Sequence, residues 1–196
     1  MTNAFQEPSF KSCLHAVWRR KQRKHMIAGL LAMCRWGIPL FFIGMTIDRF
    51  AYLPSAGRSV VLVILLVVSF YQAWKHGWRK LRRYDATQAA LDIETQHGGL
   101  ESLLVTAVQF EGVEATSGTS KSLLEATRNK AESAAEGVEP AKVVNFQALR
   151  IPLRIAVSLA VLVLVFAMLR GPFLAAGLAR IFTPWTSIAY PTKTKL

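Results

Sequence analysis

The stretch MIAGLLAMCRWGIPLFFIGMTI, residues 26–47, decides the fold. It carries one charge, Arg35, and is fenced by His25 and Lys24 on one side and Asp48-Arg49 on the other. At 1.5 Å per residue a helix of this length covers ~33 Å, enough to cross the ~30 Å hydrocarbon core of a bilayer. A helix of a soluble domain would break such a run with polar positions at helical period. Two further runs repeat the pattern: SVVLVILLVVSFYQAW at 59–74 and IAVSLAVLVLVFAML at 155–169. The chain therefore reads as an all-α membrane protein. It has three transmembrane helices and a small cytoplasmic helical segment between the second and third.

Composition agrees. The chain has 196 residues, of which 52% are hydrophobic and 18% charged. Ordinary soluble domains carry about a quarter charged residues. The net charge of +12 would point to nucleic acid if it were spread over a face. It sits instead in blocks beside the apolar runs, where anionic headgroups attract it. The partners expected are therefore a bilayer with anionic headgroups, and proteins that meet the cytoplasmic helices; nucleic acid is not among them.

Direction follows from Lys and Arg near the span ends. Lys11, Arg19, Arg20, Lys21, Arg23 and Lys24 precede the first run, and Lys75, Arg79, Lys80, Arg82 and Arg83 follow the second. The turn between the two runs holds only Arg49 and Arg58, with Pro54 and Gly57 marking a tight reversal. By the positive-inside rule the N-terminus and the middle segment are cytoplasmic and the hairpin tip faces outward. Tyr52, Tyr71, Trp74 and Trp78 fall near the ends, where aromatic rings favour the interface. The third run is short: about 15 uncharged residues between Arg154 and Arg170 give ~23 Å. Snorkelling arginines and apolar residues 151–153 extend it. Its C-terminal end then lies outside. No cleavable signal peptide is read at the N-terminus, since the basic region and the run after it are both too long. The organisation expected is 1–25, a basic cytoplasmic N-terminus; 26–74, a transmembrane hairpin; 75–150, a cytoplasmic helical segment; 151–170, the third transmembrane helix; and 171–196, an extracytoplasmic tail.

The middle segment is acidic. Residues 85–140 hold ten of the twelve acidic residues. Ala86, Ala90, Ile93, His97, Leu100, Leu104 and Val108 recur at spacings of three or four, as on one helix face running from about residue 78 to 110. His97-Gly98-Gly99 should break it, because glycines cost ~1 kcal/mol each inside a helix. A second helix is expected over about 121–136, capped by Thr119 or Ser120 and stopped by Gly137 and Pro140.

Chemistry is scarce. No P-loop, dinucleotide fingerprint or zinc spacing occurs. His15, His25 and His76 lie in basic surroundings, and His97 meets Glu101 only across the Gly-Gly break. Asp92 and Glu94 are two apart and do not share a helix face. Cys13 and Cys34 have no partner at metal or redox spacing and read as free thiols. No catalytic, metal or cofactor residue is expected, and the protein is read as no enzyme. Arg35 is the weak candidate, because a charge within a span is a functional candidate by default. Spans two and three hold no Asp or Glu to pair with it, and snorkelling to the cytoplasmic headgroups is the plainer account. Pro39 should kink the same helix.

After the third run Gly171-Pro172 breaks the helix, and residues 173–182 read as an amphipathic helix along the outer interface with Arg180 on its polar side. The alternating Thr and Lys of the last residues look like the start of a strand, so the chain reads as a fragment of a longer protein.

The residues ALDIE at 90–94, LLVTAVQF at 103–110 and ARIFTPW at 179–185 resemble an uncharacterised family of bacterial inner-membrane proteins. That family has three N-terminal transmembrane helices ahead of a large periplasmic region. The resemblance implies topology and no activity. The function expected is a membrane anchor or scaffold that links a cytoplasmic helical module to an extracytoplasmic extension. The alternative is an accessory subunit of a transporter or signalling complex.

Overall fold

The computed structural model describes residues 9–96, 102–110 and 121–191. Among them every regular element is helical: α1 (Ser9–Ala51), α2 (Ser55–His76), α3 (Ala86–Glu94), α4 (Leu103–Phe110), α5 (Lys121–Glu136), the single turn α6 (Pro140–Val143) and α7 (Arg150–Phe182). Short 3-10 turns at Trp78–Lys80 and Gln147–Leu149 join them. Three helical stretches, Phe10–Ala51, Ser55–Lys80 and Gln147–Phe182, are long and apolar enough to cross a membrane. The described residues are therefore all-helical, and three of their helices have the length and apolar composition expected from the sequence.

The chain divides into two compact units, one of residues 1–24 with 82–147 and one of 25–81 with 148–196. The first begins where the sequence reading placed only a basic tail. Residues 9–24 are the opening turns of α1, and Phe10, Leu14 and Val17 recur at helical spacing between the basic residues. They enter one core with Ala89, Ala90 and Ile93 of α3, Leu104 and Ala107 of α4, and Ala131 and Ala135 of α5. Lys11 and His15 between these residues, and the basic run that starts at Arg19, give the turns the composition of a basic tail.

Polar contacts close this unit. Asp85 starts α3 by accepting from the amides of Thr87 and Gln88 at 3.0 and 3.3 Å. Such N-caps satisfy donors that the first turn leaves open. The Glu94 carboxylate accepts from the amides of Leu104 and Val105 at 2.8 and 3.1 Å, so the last residue of α3 caps α4. Arg20 donates to the Val144 carbonyl and lies 5.1 Å over the Phe146 ring. His15 stacks on Tyr84 at 3.9 Å.

The expected continuous helix from about 78 is instead a 3-10 turn, an extended stretch, and α3 from Ala86. The proposed break at 97–99 and the caps at 119 and 120 lie outside the described residues. The helix expected at 121–136 is α5, and Pro140 opens α6 just after it.

The second unit is built on a tight helical hairpin. Gly29, Gly37 and Gly44 are eight and seven apart and share a face of α1. A Cβ on Gly37 would reach the Ser69 hydroxyl of α2 at 3.2 Å, and one on Gly44 would reach Val61 at 2.6 Å. A Cβ on Gly29 would collide with the Trp78 indole. At the foot of the hairpin Gly77 and Gly29 face each other backbone to backbone. Small residues thus let α1 and α2 approach closely, which is how helices pack when lipid removes the usual hydrophobic drive. Leu65, Ser69 and Ala73 are the buried positions of α2, four apart. α1 stays helical through Pro39.

The third span bends. α7 has non-helical torsions at Arg170 (φ −139°, ψ 39°). Pro172 explains the bend, since it lacks an amide donor and its ring crowds the carbonyl four residues earlier. The result is visible in two aromatic contacts: Phe166 meets Phe42 at 5.3 Å and Phe182 meets Phe41 at 6.2 Å. A straight helix would separate residues 166 and 182 by ~24 Å along its axis. The helix therefore folds across α1 after Arg170, and residues 171–182 form a separate arm. This corrects the expectation that Arg180 lies on a polar side of this helix: Arg180 is on the buried side, with Leu174, Ala176, Gly177 and Ile181.

Candidate functional site

The buried arginine has a partner. Asp48 near the end of α1 is 1% exposed and Arg180 is 8% exposed. Arg180 grips the carboxylate with two donors, Nε to Oδ2 at 2.6 Å and Nη2 to Oδ1 at 3.1 Å. Arg58, from the first turn of α2, donates Nε to Oδ1 at 3.0 Å. The Tyr190 hydroxyl donates to Oδ2 at 3.0 Å. Each oxygen of Asp48 therefore receives two donors.

Two guanidinium groups against one carboxylate leave a surplus positive charge. Backbone carbonyls of the segment after α7 offset it. Arg58 Nη1 donates to the Thr186 carbonyl at 3.0 Å, and Arg180 Nη1 donates to the Ile188 carbonyl at 2.6 Å. The Tyr190 ring lies 4.9 Å from the Arg180 guanidinium carbon and 4.8 Å from the Phe173 ring. Gly177 makes room for Met45 one turn from Asp48; a Cβ there would collide with its sulfur. Bidentate charge-assisted bonds of this kind are roughly twice as strong as neutral ones.

The cluster joins four pieces of chain: the end of α1, the start of α2, the bent arm of α7 and the segment 183–190. With both carboxylate oxygens filled, Asp48 has no open position for a proton, a metal or a substrate. The arrangement is a clamp. Among the described residues no group of three or more His, Cys, Asp or Glu could hold a metal ion.

Burial, and after it the hydrogen bond to the Asp48 carboxylate, push the Tyr190 phenol up to about 12. The ordinary value is about 10. A folded value above the unfolded one means that the contribution of the neutral phenol is whole below pH ~10 and is lost as pH climbs toward ~12. Absorbance titration of the four tyrosines in detergent should therefore contain one late-ionising ring, and Tyr190→Phe should remove it. Loss of an ordinarily ionising ring in Tyr190→Phe, with no late-ionising ring in the unchanged protein, would refute the buried phenol.

The candidate drawn from the sequence lies elsewhere. Arg35 is exposed on α1, ~20 Å along the helix from Asp48, and has no ion pair among the described residues. The other polar residues singled out have structural partners. Asp92 pairs with Lys21, and His76 shares a hydrogen bond with the Gln72 carbonyl. Cys13 is half-buried, Cys34 is exposed, and both are free. His97 lies outside the described residues. The clamp itself escaped the sequence reading, although a signal existed: Asp48 is the sole acidic residue between Glu7 and Asp85.

Fold and cluster together define a class: the described residues are all-helical, with three helices long and apolar enough to span a membrane and an ion cluster near the end of the first. No protein-family model, curated protein or solved structure matches the chain.

Proposed function

We propose that the protein is an integral membrane anchor or scaffold of the bacterial cytoplasmic membrane, in keeping with the family it resembles. It holds a helical module in the cytoplasm and directs the chain after α7 outward. One observation carries this reading. Residues 9–24 and 82–147, with two span-length helical segments between them in the sequence, fold into one compact helical unit. Such a unit needs its two strands of chain on one side of a bilayer, which a two-span hairpin supplies. The basic residues flanking it favour the cytoplasmic side and attract anionic headgroups.

The experiment is cysteine labelling of the full chain in cells, with Cys13 and Cys34 replaced by Ala. Ser55→Cys should react with an impermeant maleimide added outside, and Ala141→Cys only after permeabilisation. Labelling of both from one side would overturn the topology.

A second reading, an accessory subunit, is favoured by Arg35, which is exposed and has no ion pair among the described residues. The two part at that residue. Arg35→Ala should leave a scaffold inserted and folded, whereas a subunit would insert normally and lose a co-purifying protein.

A further inference from the structure

The bent arm of α7, residues 171–182, is inside out by the standard of a water-facing helix. Its one charged residue, Arg180, points inward to Asp48. Its outer face is apolar: Pro172, Ala175, Leu178 and Phe182 are exposed at spacings of three and four, with Leu178 at 41% and Phe182 at 48%. A helix resting on a protein surface in water would turn these faces the other way. Polar side chains directed at the bundle with apolar ones outward is the arrangement that hydrocarbon imposes.

We propose that this arm is embedded in the bilayer, with lipid acyl chains covering its Pro172–Ala175–Leu178–Phe182 stripe and thereby sealing the Asp48 clamp from water. The inference rests on the membrane-spanning reading above. Its occupant is lipid because apolar side chains point outward on both sides of the bend: Met168 is 80% and Leu169 75% exposed before it, and the stripe follows it, with the exposed Arg170 at the bend between them. A covering of acyl chains also accounts for the saturation of Asp48. Water would be absent there to satisfy a spare lone pair or guanidinium, so tyrosine and two carbonyls do so. The chain thus turns at Arg170, stays within the membrane for another three turns, and leaves it after Phe182.

The test places nitroxide labels on the full chain in phosphatidylcholine–phosphatidylglycerol vesicles, with Cys13 and Cys34 replaced by Ala. Labels go on Val161→Cys in the span, and on Leu178→Cys and, separately, Ala175→Cys in the arm. The small Ala175 side chain guards against a labelled Leu178 variant that fails to fold. Collisions with oxygen and with a water-soluble nickel chelate are compared. The ratio of oxygen to nickel collisions at 175 and 178 should rise to the level found at 161. Nickel access at 175 and 178 with an oxygen-rich 161 would overturn the inference and leave the spans intact. Shielding of 175 and 178 from both reagents would also overturn it, since a second copy or another protein would then cover the stripe. Nickel access at 161 would remove the membrane-spanning reading itself.

Discussion

Asp48→Ala is expected to destabilise the second unit by about 3–5 kcal/mol, the range for breaking a buried ion pair by removing one partner. The cost comes from what is left behind. Arg180 is 8% exposed and would lose both of its carboxylate bonds, keeping the Ile188 carbonyl and the face of the Tyr190 ring. Arg58, whose side chain is 12% exposed, would keep only the Thr186 carbonyl. Tyr190 would lose its acceptor. Asp48→Asn should be nearly as damaging, because an amide keeps the shape but not the charge. Removing the stranded cation as well should return part of the loss, so the double variant Asp48→Ala with Arg180→Met should be more stable than Asp48→Ala alone. Unfolding in mixed micelles by increasing sodium dodecyl sulfate measures all of these. A loss from Asp48→Ala below ~1 kcal/mol would place the pair among exposed ones, for which that is the usual ceiling, and would contradict the clamp.

Gly77→Ala should be the most damaging single methyl that can be added to the hairpin. The new Cβ would collide with the His25 carbonyl and the backbone of Gly29, and backbone cannot rotate away as a side chain can. Overpacking costs ~1–3 kcal/mol where side chains can adjust, so this variant should exceed that range or fail to close the hairpin. Two controls bracket it. Gly37→Ala meets the Ser69 hydroxyl at 3.2 Å and should fall within the ordinary range. Gly171→Ala meets nothing within 4 Å and should be nearly silent. Trp78 lies against Gly29, so its fluorescence should report the opening of the foot in Gly77→Ala. Equal stability of the Gly77 and Gly37 variants would refute the backbone contact.

Legibility in the sequence followed the physics of each feature. The spans were readable because hydrocarbon tolerates few charges, and absence of charge over about twenty residues is a local property. Helix α5 was readable for a similar reason: Gly137 and Pro140 end it whatever surrounds it. The opening turns of α1 were not, because the few apolar residues Phe10, Leu14 and Val17 have meaning only once α3, α4 and α5 are there to cover them. The glycines at 29, 37 and 44 stood at readable spacing, but their partners Ser69 and Gly77 are set by the register of the hairpin. The clamp was least legible. Asp48 and Arg180 are 132 residues apart. Arg180 looks like the polar side of an amphipathic helix until the bend at Arg170 turns that side inward.

Local composition alone determined that the protein is helical and has three membrane-length runs, since backbone polar groups in lipid must be satisfied within a segment. Tertiary structure alone decided that the basic N-terminal turns belong with the acidic middle segment in one unit, and that a lone aspartate near the first span's end holds two arginines and a tyrosine. Both depend on long-range packing, where the meaning of a residue is fixed by what faces it and by whether water can reach it.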